Sequence, residues 1–150
     1  MQFELYDDLV PKTVENFKKL VNECFYDGLR FNRIVRCKML ETGDPLSKDI
    51  LQKLNWGTGG PGYNIKKEIS KKLKHNKKGL LSMASVGDEC SGSRFVITYS
   101  GIPSLDGKNT VFGHIVSGED VLDILGNMGT DRGGKVEFIG YIVLEKVTVV

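Results

Sequence analysis

Three apolar runs, GLLSMAS (79–85), RFVITYS (94–100) and TVFGHIV (110–116), follow one another with only short polar stretches between them. Each has the length and composition of a buried strand, and there is no βαβ alternation around them. Strand-like segments recur on both sides. QFELY (2–6) alternates apolar and polar residues, residues 30–36 and MLETGD (39–44) read as short strands, and VEFIGYIVLEKVTVV closes the chain as strand material. Only two segments carry a helical period. From residue 11 to 25, Pro11 stands at a first helical position and Val14, Phe17, Leu20 and Val21 recur on one face. In GEDVLDILGNM (118–128), Val121, Leu122 and Leu125 are expected to point inward. Many short strands with one early and one late helix predict a mostly-β single domain: a closed or nearly closed barrel with helices over its ends.

The connections are equally readable. Asp27–Gly28 and Asp106–Gly107 mark turns, and GDECSGS (87–93) reads as a polar loop. Residues 45–64 form a long connection. Ile50, Leu51 and Leu54 suit one helical turn, and four glycines within residues 57–62 exclude regular structure after it.

Composition narrows the function. The chain has 150 residues and a net charge of +2, so no general affinity for polyanions follows. Its three cysteines, Cys24, Cys37 and Cys90, form no C-x-x-C pair, which argues for reduced thiols rather than a disulfide framework or zinc. His75 and His114 are the only histidines, which leaves a metal site without support. No apolar run approaches the ~18 residues of a membrane span. The opening MQFELYDD has no basic stretch followed by a long apolar run, so a cytosolic or nuclear location is expected. No Walker, H-E-x-x-H or G-x-S-x-G motif is present, and neither histidine lies near a recognisable nucleophile in sequence. Seven lysines crowd residues 66–78, the usual mark of a solvated loop. No aromatic residues interleave them, so nucleic-acid stacking has no support.

Several blocks in fixed order resemble the cyclophilins, peptidyl-prolyl cis–trans isomerases. They are ELYDDLVPKTVENF, FNRIV, GTGGPGYN, KHNKKGLLSMAS, SGSRFVIT and LDGKNTVFGHIVSGEDVLDIL. The resemblance implies an eight-stranded antiparallel barrel capped by two helices, with the family's usual first strand, before QFELY, missing. It also implies isomerisation of X–Pro bonds without cofactor or metal, by a monomer whose partners are proline-containing peptides or proteins. Arg33 matches the catalytic arginine. Met39 and Leu105 match walls of the proline pocket, Ser85 a position whose backbone pairs with the peptide, and Phe95 and Gly92 stand in their family places. Cys90 falls near the rim of a second pocket.

The departures cluster in the same site. Lys38 and Val96 replace two phenylalanines, Glu41 and Arg94 two glutamines, Ser104 a tryptophan associated with cyclosporin binding, and Asn109 a histidine. A wider, shallower proline pocket, weak turnover and weak or no cyclosporin binding are expected. The alternative is a catalytically impaired domain that only binds proline-containing segments. Glu41 and Arg94 suit an ion pair. Glu41 then either bridges Arg33 and Arg94 or holds Arg33 away from the substrate, unless both charges simply face solvent. With Arg36 nearby, the basic groove favours acidic X–Pro peptides, and replacing both Glu41 and Arg94 by glutamine is expected to weaken that preference.

Overall fold

The computed structural model of the chain describes residues 1–128 and 142–149. Its first strand, β1 (Gln2–Leu5), leads into helix α1 (Pro11–Asn22). Pro11 sets the helical φ and gives up an amide that would have no partner there. The N-cap, Val10, offers no side-chain acceptor. Instead Glu68, 55 residues away, accepts from the Thr13 amide at 2.6 Å and from its hydroxyl at 2.7 Å. A carboxylate at a helix N-terminus also meets the positive end of its dipole.

Helix α1 ends earlier than its apolar period suggests. Cys24 adopts φ +54°, Phe25 N–H reaches Leu20 O at 2.9 Å and Cys24 N–H reaches Val21 O at 3.0 Å. These two bonds form a Schellman cap with cysteine in the place glycine usually takes. The chain then runs through β2 (Leu29–Arg30), β3 (Arg33–Val35) and β4 (Met39–Thr42). The single strand expected over 30–36 is split because the chain changes partner. Leu29–Arg30 pairs with β9 (Val143–Leu144), whereas Arg33 onward pairs with β4.

Two 3₁₀ segments, Pro45–Lys48 and Ile50–Asn55, precede β5 (Asn64–Lys66). The centre of the fold is β6 (Leu80–Val86), β7 (Glu89–Thr98) and β8 (Val111–Ser117), followed by α2 (Glu119–Asn127). GDECSGS is not a loop. Only Gly87 and Asp88 turn, and Glu89–Ser93 continues β7, pairing with β5. Its two serines are buried because each has a partner. Ser93 Oγ donates to Gly43 O at 2.7 Å, and Ser91 Oγ accepts from the Arg94 amide at 3.0 Å. Cys90 is fully buried there, 3.4 Å from Thr110 Oγ1, and so lines no rim.

Seven strands form one antiparallel sheet in the order β1-β8-β6-β7-β4-β3, with β5 also on β7, and β2 and β9 form a separate pair. The expected mostly-β architecture with two α-helices is therefore present, in nine short strands among the described residues, and hydrogen bonds do not close the large sheet there. The core lies between its inner face and α1. Phe17 packs on Tyr26, Phe112 and Phe95 with ring centroids 5.0, 5.1 and 5.5 Å apart. Each such pair contributes about 0.5–1.5 kcal/mol beyond its area. In α2, Leu122 is buried and Leu125 half-buried, but Val121 is exposed. Gly126 takes the inward place instead, where a Cβ would lie 2.1 Å from the Tyr99 ring. Residues 136–141 and 150 of the terminal strand expected over 136–150 lie outside the described residues; within 142–149 only Val143–Leu144 is strand.

Candidate active site

Strand register decides which predicted residues meet. Arg33 faces Glu41 across β3–β4, and Glu41 faces Val96 across β4–β7. Side chains alternate along a strand, so Arg33, Met39, Glu41, Arg94 and Val96 share one face of the sheet. Ile34, Leu40, Phe95 and Ile97 share the other face and form the core. The site is thus on the outer face. Phe95 is the correction this forces: it points inward against Phe17, Tyr26 and Phe112 and cannot touch a bound peptide.

Glu41 and Arg94 form an ion pair, Nη1 to Oε1 at 3.3 Å, with side chains only 11% and 16% exposed. The same Nη1 donates to Gly57 O. Of the outcomes expected for these two charges, a closed pair between them is found, and solvent-facing charges are not. Glu41 does not bridge to Arg33. The Arg33 side chain is exposed and makes no ion pair or hydrogen bond among the described residues. Beside it, Val96 is 4% exposed and recessed between Glu41 and Ser82, its cross-strand neighbours. Met39 is half-buried, and Lys38 is exposed in the β3–β4 turn.

The remaining predicted residues come from β6 and the segment after β7. Leu105 is half-buried and Ser104 exposed, in a 3₁₀ turn, Pro103–Leu105. Asn109 is less a rim group than a tie, since its Nδ2 donates to Met83 O at 2.9 Å. Ser85 is exposed, in a part of β6 beyond its ladder with β8, which spans Leu80–Ser82.

Two features escaped the sequence. His75, in the lysine-rich stretch, is buried. Its backbone N–H and Nδ1 both reach Asp106 Oδ1, at 2.8 and 2.9 Å, and its Nε2 lies 2.8 Å from Ser82 Oγ. The bonds from His75, backbone first and ring second, hold the Asp106 carboxyl below the usual carboxylate range. The order Ser–His–Asp looks catalytic, and the fold brings together a serine and a histidine that no sequence motif links. Ser82 is nevertheless fully buried, so no acyl group reaches it. The array braces the segment bearing Leu105 against β6. With Glu68 and His75 both anchored, residues 66–78 are not simply a solvated loop.

The second feature is Asp44, fully buried ahead of Pro45. Its carboxylate accepts from Leu46 N–H at 2.8 Å, from Gly59 N–H at 3.0 Å and from Gly57 N–H. A Cβ on Gly59 would lie 2.2 Å from Asp44 Oδ1, so glycine is required there. Asp44 thereby fixes Gly57, and Gly57 O helps fix Arg94. An aspartate before proline ahead of a helical turn is a cap signal that sequence alone offers.

An exposed guanidinium on a sheet face that also carries Met39 and Val96 can donate to a neutral nitrogen lone pair. Among the described residues no three His, Cys, Asp or Glu side chains are grouped to hold a metal ion. A family model described as cyclophilin type peptidyl-prolyl cis-trans isomerase/CLD matches residues 1–149. The chain belongs to the cyclophilin family. It is 39% identical over 137 residues to peptidyl-prolyl cis-trans isomerase B of Bacillus subtilis, covering 91% of this chain and 90% of that one. It is 38% identical over 146 residues to peptidyl-prolyl cis-trans isomerase CYP18-1 of Arabidopsis thaliana, covering 97% and 87%. A crystal structure of a Cryptosporidium parvum cyclophilin-type isomerase, determined in the presence of the dipeptide Ala-Pro, superposes with a TM-score of 0.85 at 30% identity. That match covers 99% of this chain and 90% of the other. Cyclophilins bind proline-containing substrates, and the relatives are named as isomerases, which are enzymes.

Proposed function

We propose that this cyclophilin isomerises X–Pro bonds and that Arg33 is its catalytic group. Amide resonance sets a barrier of ~18–20 kcal/mol to rotation. No covalent bond breaks, so the catalyst needs only to bind the twisted amide better than the planar one. In the twisted state the proline nitrogen is pyramidal and carries a lone pair that a guanidinium can meet. The observation that supports Arg33 in this role is that Glu41, the residue across the strands from it, is already paired with Arg94 at 3.3 Å, which leaves the Arg33 donors uncommitted.

Met39, Val96 and Leu105 form the apolar contact for the proline ring. Valine and lysine at the positions of two aromatic rings give less area, so turnover is weak. Ser104 offers neither ring nor indole donor, so cyclosporin binds poorly. Because Glu41 and Arg94 neutralise each other, the exposed charges of the rim are those of Arg33 and Lys38. They favour peptides with Asp, Glu or phosphoserine near the proline, by an amount that salt screens.

The test is exchange NMR on matched acidic and neutral X–Pro peptides, with native protein and Arg33→Ala. The native protein should catalyse exchange and bind the acidic peptide more tightly at low salt. The variant should lose catalysis while keeping its circular dichroism. An unchanged rate in the variant excludes Arg33, and equal affinities at low salt exclude the charged rim.

A further inference from the structure

The Ile50–Asn55 segment presents apolar side chains where none are needed for folding. Leu51 and Leu54 are each 87% exposed, and Ile50 is 49% exposed. In a 3₁₀ helix residues i and i+3 eclipse, so Leu51 and Leu54 stand one above the other as a single ridge. Isolated exposed leucines are ordinary, but two stacked on a fixed segment form a patch.

The segment is fixed at both ends. Asp49 Oδ1 accepts from Leu51 N–H at 2.9 Å, and the buried Trp56 donates its indole N–H to Asp49 O at 3.1 Å. Gly57, next in line, is held by the Asp44 carboxylate and accepts from Arg94. The ridge is therefore rigid before any ligand arrives, and little ordering entropy opposes a contact there. It also adjoins the active-site face. Gly57 is three positions after Leu54, a span of at most about 11 Å. Gly57 touches Arg94, whose partner Glu41 lies directly across from Arg33. An extended peptide covers the step from Leu54 to Gly57 in three to four residues.

We infer that the Leu51–Leu54 ridge is a secondary subsite of the X–Pro groove, taking a bulky apolar side chain of the substrate three to five residues from its proline. This rests on the isomerase reading above and adds a selection that Arg33 and the proline recess do not make. The preferred client carries acidic residues beside the proline and an apolar residue farther along.

The experiment compares native protein with Leu51→Ser/Leu54→Ser, a variant that alters only exposed side chains outside the proposed catalytic group and proline recess. Three probes are used: a tetrapeptide with one X–Pro bond, an eleven-residue peptide with leucines three and four positions to either side of the proline, and the same peptide with serines there. Native protein should bind the leucine peptide about tenfold more tightly than the serine peptide. The variant should bind both like the serine peptide, and exchange in the tetrapeptide should be unchanged. Equal affinities in native protein, or a leucine preference that survives in the variant, would overturn the inference. So would a native dimer that the variant abolishes in sedimentation, since the ridge would then contact a second copy. Absence of tetrapeptide exchange in both proteins, with the leucine preference intact, would count against the isomerase activity and not against the ridge.

Discussion

The Glu41–Arg94 pair predicts opposite consequences for two mutations that look alike. At 3.3 Å, two unit charges attract by about 5 kcal/mol with an effective dielectric near 20. Desolvation offsets much of this, and the side chains retain 11% and 16% exposure. Breaking a fully buried pair costs about 3–5 kcal/mol, so each single change to glutamine should cost about 2–3 kcal/mol here. The double change should cost less than the two singles combined, by about 1–2 kcal/mol, because it strands neither charge. Urea unfolding of the four proteins measures this. The catalytic consequences separate further. Glu41→Gln leaves an unneutralised Arg94 beside Arg33 and should strengthen the preference for acidic peptides. Arg94→Gln frees Glu41, which lies across the strands from Arg33 and can now hold its guanidinium, so kcat should fall about tenfold or more. The double variant removes no net charge, so the acidic preference should persist in it. That revises the expectation drawn from sequence, that the double change weakens the preference. Additive stabilities, together with an unchanged kcat in Arg94→Gln, would refute the account of how Arg33 is kept available.

Two further predictions concern the scaffold. Cys24 is exposed and holds φ +54° in a cap that favours glycine, so Cys24→Gly should stabilise by about 0.5–1 kcal/mol and raise Tm by a few degrees; a lower Tm would show that the thiol contributes to the cap. The Lys78 bond holds the Asp123 carboxyl below its ordinary range, and the Asp123 bond holds Lys78 above its own. Asp123 therefore stabilises above the unfolded carboxyl value of about 4 and stops doing so as pH falls through its folded value, whereas Lys78 stabilises below about 10.4 and stops as pH rises through its folded value. Asp123→Asn should lower the urea midpoint at pH 7 and converge with native protein near pH 2 and above pH 11, and a difference constant across pH would place the effect elsewhere.

Where apolar residues form a continuous run or a helical face, the sequence is legible. Leu80–Val86 and Val111–Ser117 follow from the length and composition of their runs, and the Phe17 face of α1 from its period. Glu89–Ser93 was not, because its serines are buried through hydrogen bonds to the residues 43 and 94 that only the fold supplies. Nor was the end of α1, since cysteine in a left-handed cap leaves no glycine to read. The split at residues 30–33 depends on which distant strand each half meets, and local pattern carries no such information.

The same division runs through the site. Arg33 and Val96 could be placed by their flanking blocks, and alternation along β7 would have put Phe95 and Val96 on opposite faces without further knowledge. What alternation cannot give is the state of Glu41. Its carboxylate had two guanidiniums within reach on one sheet face. The choice was made by Gly57 O, which fixes the Arg94 side chain, and by Asp44, which fixes Gly57. A buried aspartate thirteen residues before Gly57 thus bears on whether Arg33 is free to meet a proline nitrogen. The same clamp adjoins the base of the Leu51–Leu54 ridge, so one carboxylate bears on both the group proposed to act on the X–Pro bond and the surface proposed to select the chain around it.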